Sequence, residues 1–275
     1  MRRYQLYIFD LDGTLNRGDE PIPHAVETVD QLRKEGAKIR YVTNNATRNL
    51  DYFVHKLNHL GFEATRNEIE TSATGAAYYC KDHHIQKVGI LGENGLAQCL
   101  AEAGIKVLMP DEPWPHEIKL DPSLNPIFEP QKSKFHTLDA VVIGLFRTCT
   151  YAHISKGMQA ISHGAQFIAT NRDATFPLEH GRFIPGSGAM TAALAECSGQ
   201  EPFVTGKPNP YLIERLMQAA GVPPRETLVV GDRLDTDIES GKRAKADTFL
   251  VLTGVETKAP KDQLWGDDLR ALLQS

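Results

Sequence analysis

Short apolar runs alternate along this chain with segments whose apolar residues recur at helical spacing. Tyr4 and residues 6–9 are aromatic or aliphatic, which predicts a buried strand. Residues 24–35 carry apolar positions three and four apart and stop at a glycine, so they predict a helix. Residues 38–42 predict a second strand. Strand, helix and strand in this order predict a right-handed parallel unit.

The same alternation continues to the end of the chain. The further predicted strands are 87–92, 105–108, 138–145, 166–169, 202–205, 227–230 and 248–252. The further predicted helices are 48–60, 73–81, 94–103, 151–163, 189–198, 211–220 and 237–244. Residues 110–135 are rich in proline and charge, which is typical of a long surface excursion. This order of elements favours an α/β fold.

Composition narrows the class of protein. The 275 residues are 41% apolar and 24% charged, as in ordinary globular proteins, and can form one or two domains. The net charge of −5 argues against a nucleic-acid binder, and no apolar run is long enough to span a membrane. The start of the chain lacks a signal-peptide pattern, and the four cysteines are widely scattered. We therefore expect a cytoplasmic protein with reduced thiols, without nucleic-acid or membrane partners.

Two carboxylates follow the first predicted strand. Asp10 ends the apolar run, so its side chain is expected at the carboxyl edge of the sheet, where α/β proteins bind ligands. Asp12 is two residues further and can face the same side, and Gly13 lets the chain turn away. One carboxylate can attack phosphorus, and the other can transfer a proton. Two anions facing a phosphate need a cation, and oxygen ligands indicate Mg²⁺. The alternative is an Asp-Gly turn without chemistry.

Three more predicted strands end in chemically suitable residues. Thr43 can bind a phosphate oxygen, or Thr43 or Asn44 can cap the next helix. Lys207 can balance the attacking carboxylate, or be a solvated surface lysine. Asp232 follows an apolar strand, where it can bind a metal or cap a helix, and Asp237 opens the following helix as a supporting residue. If these strands share one sheet, their ends form one anion- and metal-binding crevice.

The motifs Asp-x-Asp-Gly-Thr, Thr-Asn-Asn, Gly-Lys-Pro-x-Pro and Gly-Asp-Arg-x-x-Thr-Asp occur in this order. Together they resemble the haloacid dehalogenase-like phosphohydrolase superfamily, most closely its NagD-like, p-nitrophenyl-phosphatase branch. The resemblance implies that Asp10 is the nucleophile and Asp12 the general acid/base. It also implies the remaining roles: phosphate binding by Thr43, Asn44 and Lys207, and Mg²⁺ binding by Asp10, the Asp12 carbonyl and Asp232.

The resemblance further implies a Rossmann-like parallel-sheet core with a smaller inserted α/β cap domain. We expect the core at 1–84 and 181–275 and the cap at 85–180. The cap is expected to select the substrate, with Thr170, Asn171 and Asp173 as candidate contacts; an ordinary strand-end turn is the alternative reading of these three. Phe146 stands where relatives usually carry an acidic residue. A homodimer through the cap is a further expectation.

The sequence therefore predicts a Mg²⁺-dependent phosphatase acting on small phosphomonoesters of the sugar phosphate, phosphoglycolate or nucleotide type. A small substrate is expected because a cap would exclude bulky partners. Two alternatives are open: a phosphotransferase or mutase acting on a phosphosugar, and a sensor that binds phosphate ligands without turnover. The retained pair Asp10 and Asp12 argues against the sensor, and against a binding module with a merely structural turn.

Overall fold

The computed structural model describes residues 2–120, 123, 126–127, 133–177 and 182–274. The strands are β1 (Leu6–Phe9), β2 (Asn16–Arg17), β3 (Glu20–Pro21), β4 (Lys38–Thr43), β5 (Ile69–Thr71), β6 (Lys87–Leu91), β7 (Lys106–Leu108), β8 (Lys119–Leu120), β9 (Pro126–Ile127), β10 (Ala140–Ile143), β11 (Gln166–Ala169), β12 (Thr175–Pro177), β13 (Phe183–Pro185), β14 (Phe203–Val204), β15 (Thr227–Gly231), β16 (Asp247–Val251) and β17 (Trp265–Gly266). The helices are α1 (Ala25–Lys34), α2 (Leu50–His59), α3 (Ser72–Asp82), α4 (Asn94–Glu102), α5 (Tyr151–Ser162), α6 (Ser187–Ser198), α7 (Tyr211–Ala220) and α8 (Glu239–Arg243).

The chain forms two compact units. The first consists of Met1–Asn44, Leu50–Ser72 and Gly206–Ser275, and the second of Asn45–Asn49 and Ala73–Thr205. The mixed α/β architecture with parallel sheets agrees with the fold class predicted from the sequence.

The first unit contains a parallel six-stranded sheet in the order β17-β16-β15-β1-β4-β5. Strand β1 lies between β15 and β4, and its last residue, Phe9, is in register with Val230 and Tyr41. Helices α1 and α2 pack their apolar residues on one face of this sheet. Because neighbouring strands are parallel, the residues that follow β1, β4 and β15 meet at one edge.

The second unit contains a parallel five-stranded sheet in the order β14-β11-β10-β6-β7. Successive side chains of a strand point to opposite faces, so Val142 packs with α3 and α4 on one face. Val141 and Ile143 pack with Trp114 and with α6 on the other face. Both faces are covered, which explains why these strands read as continuous apolar runs.

The second unit extends beyond the predicted insert at 85–180. Its boundaries lie near Ser72 and Thr205 because α3 and α6 pack on the five-stranded sheet. Amphipathic spacing predicts that each of these helices buries one face, but it does not predict against which sheet that face packs. Long-range packing decides the boundary.

The prediction of a surface excursion over 110–135 is wrong for its first part. Trp114 is fully buried, and its indole Nε1–H donates to the Met109 carbonyl at 2.9 Å. The buried Lys156 ammonium donates to the carbonyls of Pro110 at 2.7 Å and Glu112 at 3.1 Å. Burial of an indole removes a large apolar area from water. Trp114 therefore anchors this segment to the core, although the prolines of the segment predict a loop. Residues 121–122, 124–125 and 128–132 lie outside the described part of the chain.

Phe146 is buried in the second unit. Its ring lies 4.9 Å from the His153 ring, measured between centroids, and packs into the apolar cluster that contains Leu91 and Ile143. The side chain that departs from the branch pattern is therefore a core residue of this unit.

Three short antiparallel ribbons, β2-β3, β8-β9 and β12-β13, were not predicted as strands, and neither was β17. Two- and three-residue strands carry too little periodicity to be recognised. Within the described residues, no helix has both the length and the apolar character needed to cross a membrane.

Candidate active site

Asp10 lies at the carboxyl end of β1, as the apolar run before it predicts. Its backbone N–H donates to the Val230 carbonyl at 2.9 Å, which continues the pairing with β15 one residue past the strand. Its side chain is 12% exposed and accepts a hydrogen bond from Lys207 Nζ on Oδ1 at 2.5 Å. One anionic oxygen is thus held by a cation at the sheet edge, and the side chain stays accessible.

Lys207 is a buried cation and not a surface lysine. Its Nζ contacts Asp10 Oδ1 at 2.5 Å, Asp237 Oδ1 at 2.6 Å and the Val42 carbonyl at 3.5 Å. The expectation that all four strands share one sheet is wrong for β14, which precedes Lys207 and pairs with β11 in the five-stranded sheet. Lys207 itself belongs to the first unit, whose third segment starts at Gly206.

Asn44 holds the backbone of Lys207. Its amide Nδ2–H donates to the Lys207 carbonyl at 3.0 Å, and its Oδ1 accepts from the Lys207 N–H at 2.9 Å. The Asn44 carbonyl in turn accepts from Ser72 Oγ at 2.6 Å. The described side-chain contacts of Asn44 therefore position the lysine. Its predicted contact with a phosphate stays a prediction. Thr43 is buried at the end of β4, beside β1 on the same edge.

Asp232 and Asp237 bring two more carboxylates to Asp10. Asp232 directly follows β15, is 1% exposed and accepts from the Val255 N–H on Oδ2 at 2.7 Å. Asp237 is equally buried; besides its contact with Lys207, its Oδ2 accepts from the Arg233 N–H at 3.1 Å. Each of the three aspartates offers an oxygen within 4.8 Å of the others. Asp237 was predicted as a supporting residue and lies directly in this cluster.

The cluster perturbs the ionisation of its members. Burial raises the pKa of Asp10 well above its ordinary value; Lys207 opposes this rise, whereas Asp237 and Asp232 add to it. Burial and the neighbouring Asp237 raise the pKa of Asp232 to about 7. Burial lowers the pKa of Lys207, but attraction by Asp10 and Asp237 outweighs it and the net shift is upward. Lys207 therefore stays positively charged, but its single ammonium does not balance the charge of three carboxylates.

Glycines leave room for Asp232. A Cβ at Gly13 would lie 2.5 Å from Asp232 Oδ2, and Gly13 also has φ +94°, a conformation that suits glycine. A Cβ at Gly254 would overlap the same carboxylate. Side chains at these positions would displace Asp232, so both glycines are needed for its placement.

These residues fit a hard divalent cation. Oδ1 of Asp232 is buried and has no hydrogen-bond partner among the described residues. A buried carboxylate oxygen without a donor is costly unless a cation meets it. Three carboxylates face one ammonium, and oxygen-only donor sets suit Mg²⁺. Both oxygens of Asp237 are occupied, Oδ1 by Lys207 and Oδ2 by the Arg233 N–H. Among the described residues, Lys207 contacts Asp10 only on Oδ1 and the Val255 N–H contacts Asp232 only on Oδ2, so each of these two carboxylates keeps an oxygen that could hold such an ion.

Asp12 lies in the turn after β1, outside the buried cluster. Its side chain is 46% exposed, and Oδ1 accepts from Asn16 Nδ2 at 2.8 Å and from Lys56 Nζ at 3.3 Å. Neither Asn16 nor Lys56 was predicted. A lysine on an amphipathic helix reads as a surface residue, so the sequence holds no signal for this contact.

The predicted cap contacts belong to the second unit. Thr170 and Asn171 are buried after β11. Asn171 Oδ1 accepts from the Asp173 N–H at 3.1 Å, and the Asn171 carbonyl accepts from Ser187 Oγ at 3.3 Å. These bonds form the strand-end turn that was the alternative reading. Substrate contact by these residues stays a prediction.

Comparison with known proteins identifies the family. The profile described as haloacid dehalogenase-like hydrolase matches residues 7–106, and a second profile, HAD-hydrolase-like, matches 204–270. Acid sugar phosphatase of Staphylococcus epidermidis is 34% identical over 258 residues, which cover 94% of this chain and 90% of that protein.

Two solved structures resemble the whole chain. p-Nitrophenyl phosphatase from Archaeoglobus fulgidus has a TM-score of 0.83 and 29% identity, with 99% of each chain covered. Glycerol phosphate phosphatase from Mycobacterium tuberculosis, solved in complex with magnesium, has a TM-score of 0.79 and 34% identity; the match covers 98% of this chain and 76% of that one. The buried Asp–Lys–Asp cluster at the sheet edge, the ordered motifs and these matches agree: the chain belongs to the haloacid dehalogenase-like hydrolases, in their NagD-like, p-nitrophenyl phosphatase branch.

Proposed function

We propose that the protein is a Mg²⁺-dependent phosphatase that hydrolyses small-molecule phosphomonoesters through an aspartyl-phosphate on Asp10. The observation that carries the proposal is the buried cluster of Asp10, Asp232 and Asp237 around Lys207, in which one Asp232 oxygen has no donor from the part of the chain that the structure describes. Such a cluster is costly to the fold, and it suits a site that receives a cation and a phosphate.

In the first step, the free oxygen of Asp10 attacks phosphorus and the bond to the ester oxygen breaks. Lys207 fixes the other Asp10 oxygen, so the attacking atom is oriented. Asp12 gives its proton to the departing oxygen, which leaves as an alcohol. In the second step, Asp12 takes a proton from water, the water oxygen bonds to phosphorus, and Asp10 is released with inorganic phosphate.

The remaining residues stabilise charge. We assign Lys207 to the oxygens that carry negative charge during transfer, and Thr43 and the backbone N–H groups after it to the phosphate oxygens. The burial of Thr43 and Lys207 supports these roles. Bound to Asp10, Asp232 and the Asp12 carbonyl, Mg²⁺ would supply the positive charge that the three carboxylates lack.

The substrate class follows from the relatives. Their names specify an acid sugar phosphatase, a p-nitrophenyl phosphatase and a glycerol phosphate phosphatase, all acting on small esters. We propose a soluble phosphate ester of this size for the present chain. The cytoplasmic location, the lack of a nucleic-acid partner and the homodimer through the cap stay predictions.

The test is phosphate release from a panel of phosphomonoesters that includes p-nitrophenyl phosphate and glycerol phosphate. Each ester is assayed with Mg²⁺ and with EDTA, beside the Asp10→Asn variant. We expect release that requires the metal and is lost in the variant. Failure of the intact protein to hydrolyse any ester in the presence of Mg²⁺ would contradict the proposal. The phosphotransferase and the sensor would then be the favoured functions.

A further inference from the structure

Asp12 is held by two donors that bind the same oxygen. Asn16 Nδ2 lies 2.8 Å from Asp12 Oδ1, and Lys56 Nζ lies 3.3 Å from it. Within the part of the chain that the structure describes, no donor contacts Oδ2 of Asp12. The two carboxylate oxygens are therefore unequal, because one is occupied and the other is available.

The surrounding turn is rigid enough for this arrangement to persist. The Leu11 carbonyl accepts from the N–H groups of Thr14, Leu15 and Asn16 at 2.8–3.2 Å. Asn16 is fully buried, and its Nδ2 also donates to the Gly18 carbonyl at 2.9 Å. Both neighbours of this amide nitrogen are acceptor oxygens, which fixes the orientation of the amide group.

Lys56 reaches this turn from α2. The helix buries Phe53 and Leu57, and the Lys56 side chain is only 14% exposed, so its methylene groups are covered while Nζ reaches Asp12. Asp12 itself is 46% exposed. An ion pair with one partner so exposed contributes only about 0–1 kcal/mol to stability. Its main effect is to orient the carboxylate and to place a positive charge beside it.

We propose that Lys56 is a positioning residue for the hydrolytic reaction: with Asn16 it holds Asp12 Oδ1 and leaves Oδ2 to carry the proton. When the proton on Oδ2 passes to the departing ester oxygen, negative charge develops on Asp12, and the Lys56 ammonium stabilises that charge. When Oδ2 later takes a proton from water, the same contact keeps this oxygen directed at the site. The inference rests on the proposed function, in which Asp12 is the general acid and base.

The test exploits the dependence of the first step on the leaving group. The substrates are phenyl phosphates whose ring substituents range from nitro to methoxy, so the esters have similar size. p-Nitrophenolate departs as a stable anion with little help from an acid, whereas unsubstituted phenolate needs more. The quantity measured is kcat/KM, which reports formation of the aspartyl-phosphate alone.

Lys56→Met removes the charge and the donors at similar length, and Lys56→Arg keeps both. In Lys56→Met we expect kcat/KM to fall about tenfold for phenyl phosphate but less than about threefold for the nitro ester, a part of the roughly 10²–10⁴-fold that general acid–base catalysis contributes. Lys56→Arg should restore most of the loss. Lys34→Met, which removes an exposed lysine paired with Asp30 on α1, is the matched control and should leave both values unchanged.

An equal fall for every ester in Lys56→Met, or no fall, would overturn the inference, because a merely structural lysine does not distinguish leaving groups. Failure of Lys56→Arg to restore the phenyl ester would overturn it as well. Thermal unfolding of each variant accompanies the kinetics, so a general loss of folded protein is recognised. The wild type separates the two proposals: without Mg²⁺-dependent release from any ester, the proposed function itself fails.

Discussion

Replacing Lys207 by methionine leaves its buried partners without their cation. Nζ of Lys207 lies 2.5 Å from Asp10 and 2.6 Å from Asp237, and both the lysine and Asp237 are almost fully buried. Methionine has a similar length and no charge, so the change removes the attraction without leaving a large cavity. The energetic effect is then mainly electrostatic.

Breaking a buried ion pair by removing one partner costs about 3–5 kcal/mol, because the remaining charge is buried and uncompensated. We expect a loss of about this size in the free energy of unfolding of the metal-free variant near neutral pH. Mg²⁺ should reduce the loss, since a bound cation supplies part of the missing charge. Adding Asp237→Asn to Lys207→Met should recover part of the stability, since one of the uncompensated carboxylates is then neutral.

The assay is urea unfolding followed by circular dichroism, in EDTA and in saturating Mg²⁺, for the wild type, Lys207→Met and the double variant. A loss below about 1 kcal/mol in EDTA, the value typical of an exposed pair, would show that Lys207 does not compensate buried charge. So would a double variant that is less stable than Lys207→Met alone.

Three further predictions concern single positions. The pKa of Asp232 is raised to about 7 in the folded protein from about 3.9 in an unfolded chain. Between these two pH values the metal-free native state therefore binds more protons than the unfolded state. Its stability relative to Asp232→Asn should therefore fall as pH rises from about 4 to about 7 in urea unfolding; a difference independent of pH would contradict this. Gly254→Ala should displace the Asp232 carboxylate and raise the Mg²⁺ concentration for half-maximal activity at least about tenfold, and an unchanged requirement would refute that role. Phe146→Ala should lower the free energy of unfolding by about 3–5 kcal/mol, whereas a surface position would lose almost nothing.

Strand ends were the part of the site that the sequence predicted well. Apolar runs that stop at Asp10 and Asp232 predict carboxylates at one sheet edge, and β1 and β15 are indeed neighbours there. Local patterns suffice in this case because the strand and its functional residue are adjacent in the chain. The roles of these residues in catalysis stay predictions.

Contacts between distant segments could not be predicted in this way. The strand before Lys207 was expected to share one sheet with β1, but β14 extends the other sheet through pairing with β11. The hold of Asn44 on the Lys207 backbone joins residues 163 positions apart, and Lys56 lies 44 positions from Asp12. The segment that carries Trp114 is likewise contacted from a distance, since the Lys156 ammonium binds the carbonyls of Pro110 and Glu112. Such pairings depend on packing that no local pattern encodes.

The aspartyl-phosphate mechanism is tested most directly by looking for phosphate on Asp10. The protein is mixed with p-nitrophenyl phosphate and Mg²⁺, quenched in acid during turnover, digested and analysed by mass spectrometry. We expect a phosphate adduct on the peptide that contains Asp10, and none in Asp10→Asn. Rapid hydrolysis by Asp10→Asn, or a phosphate adduct on a different residue, would contradict it.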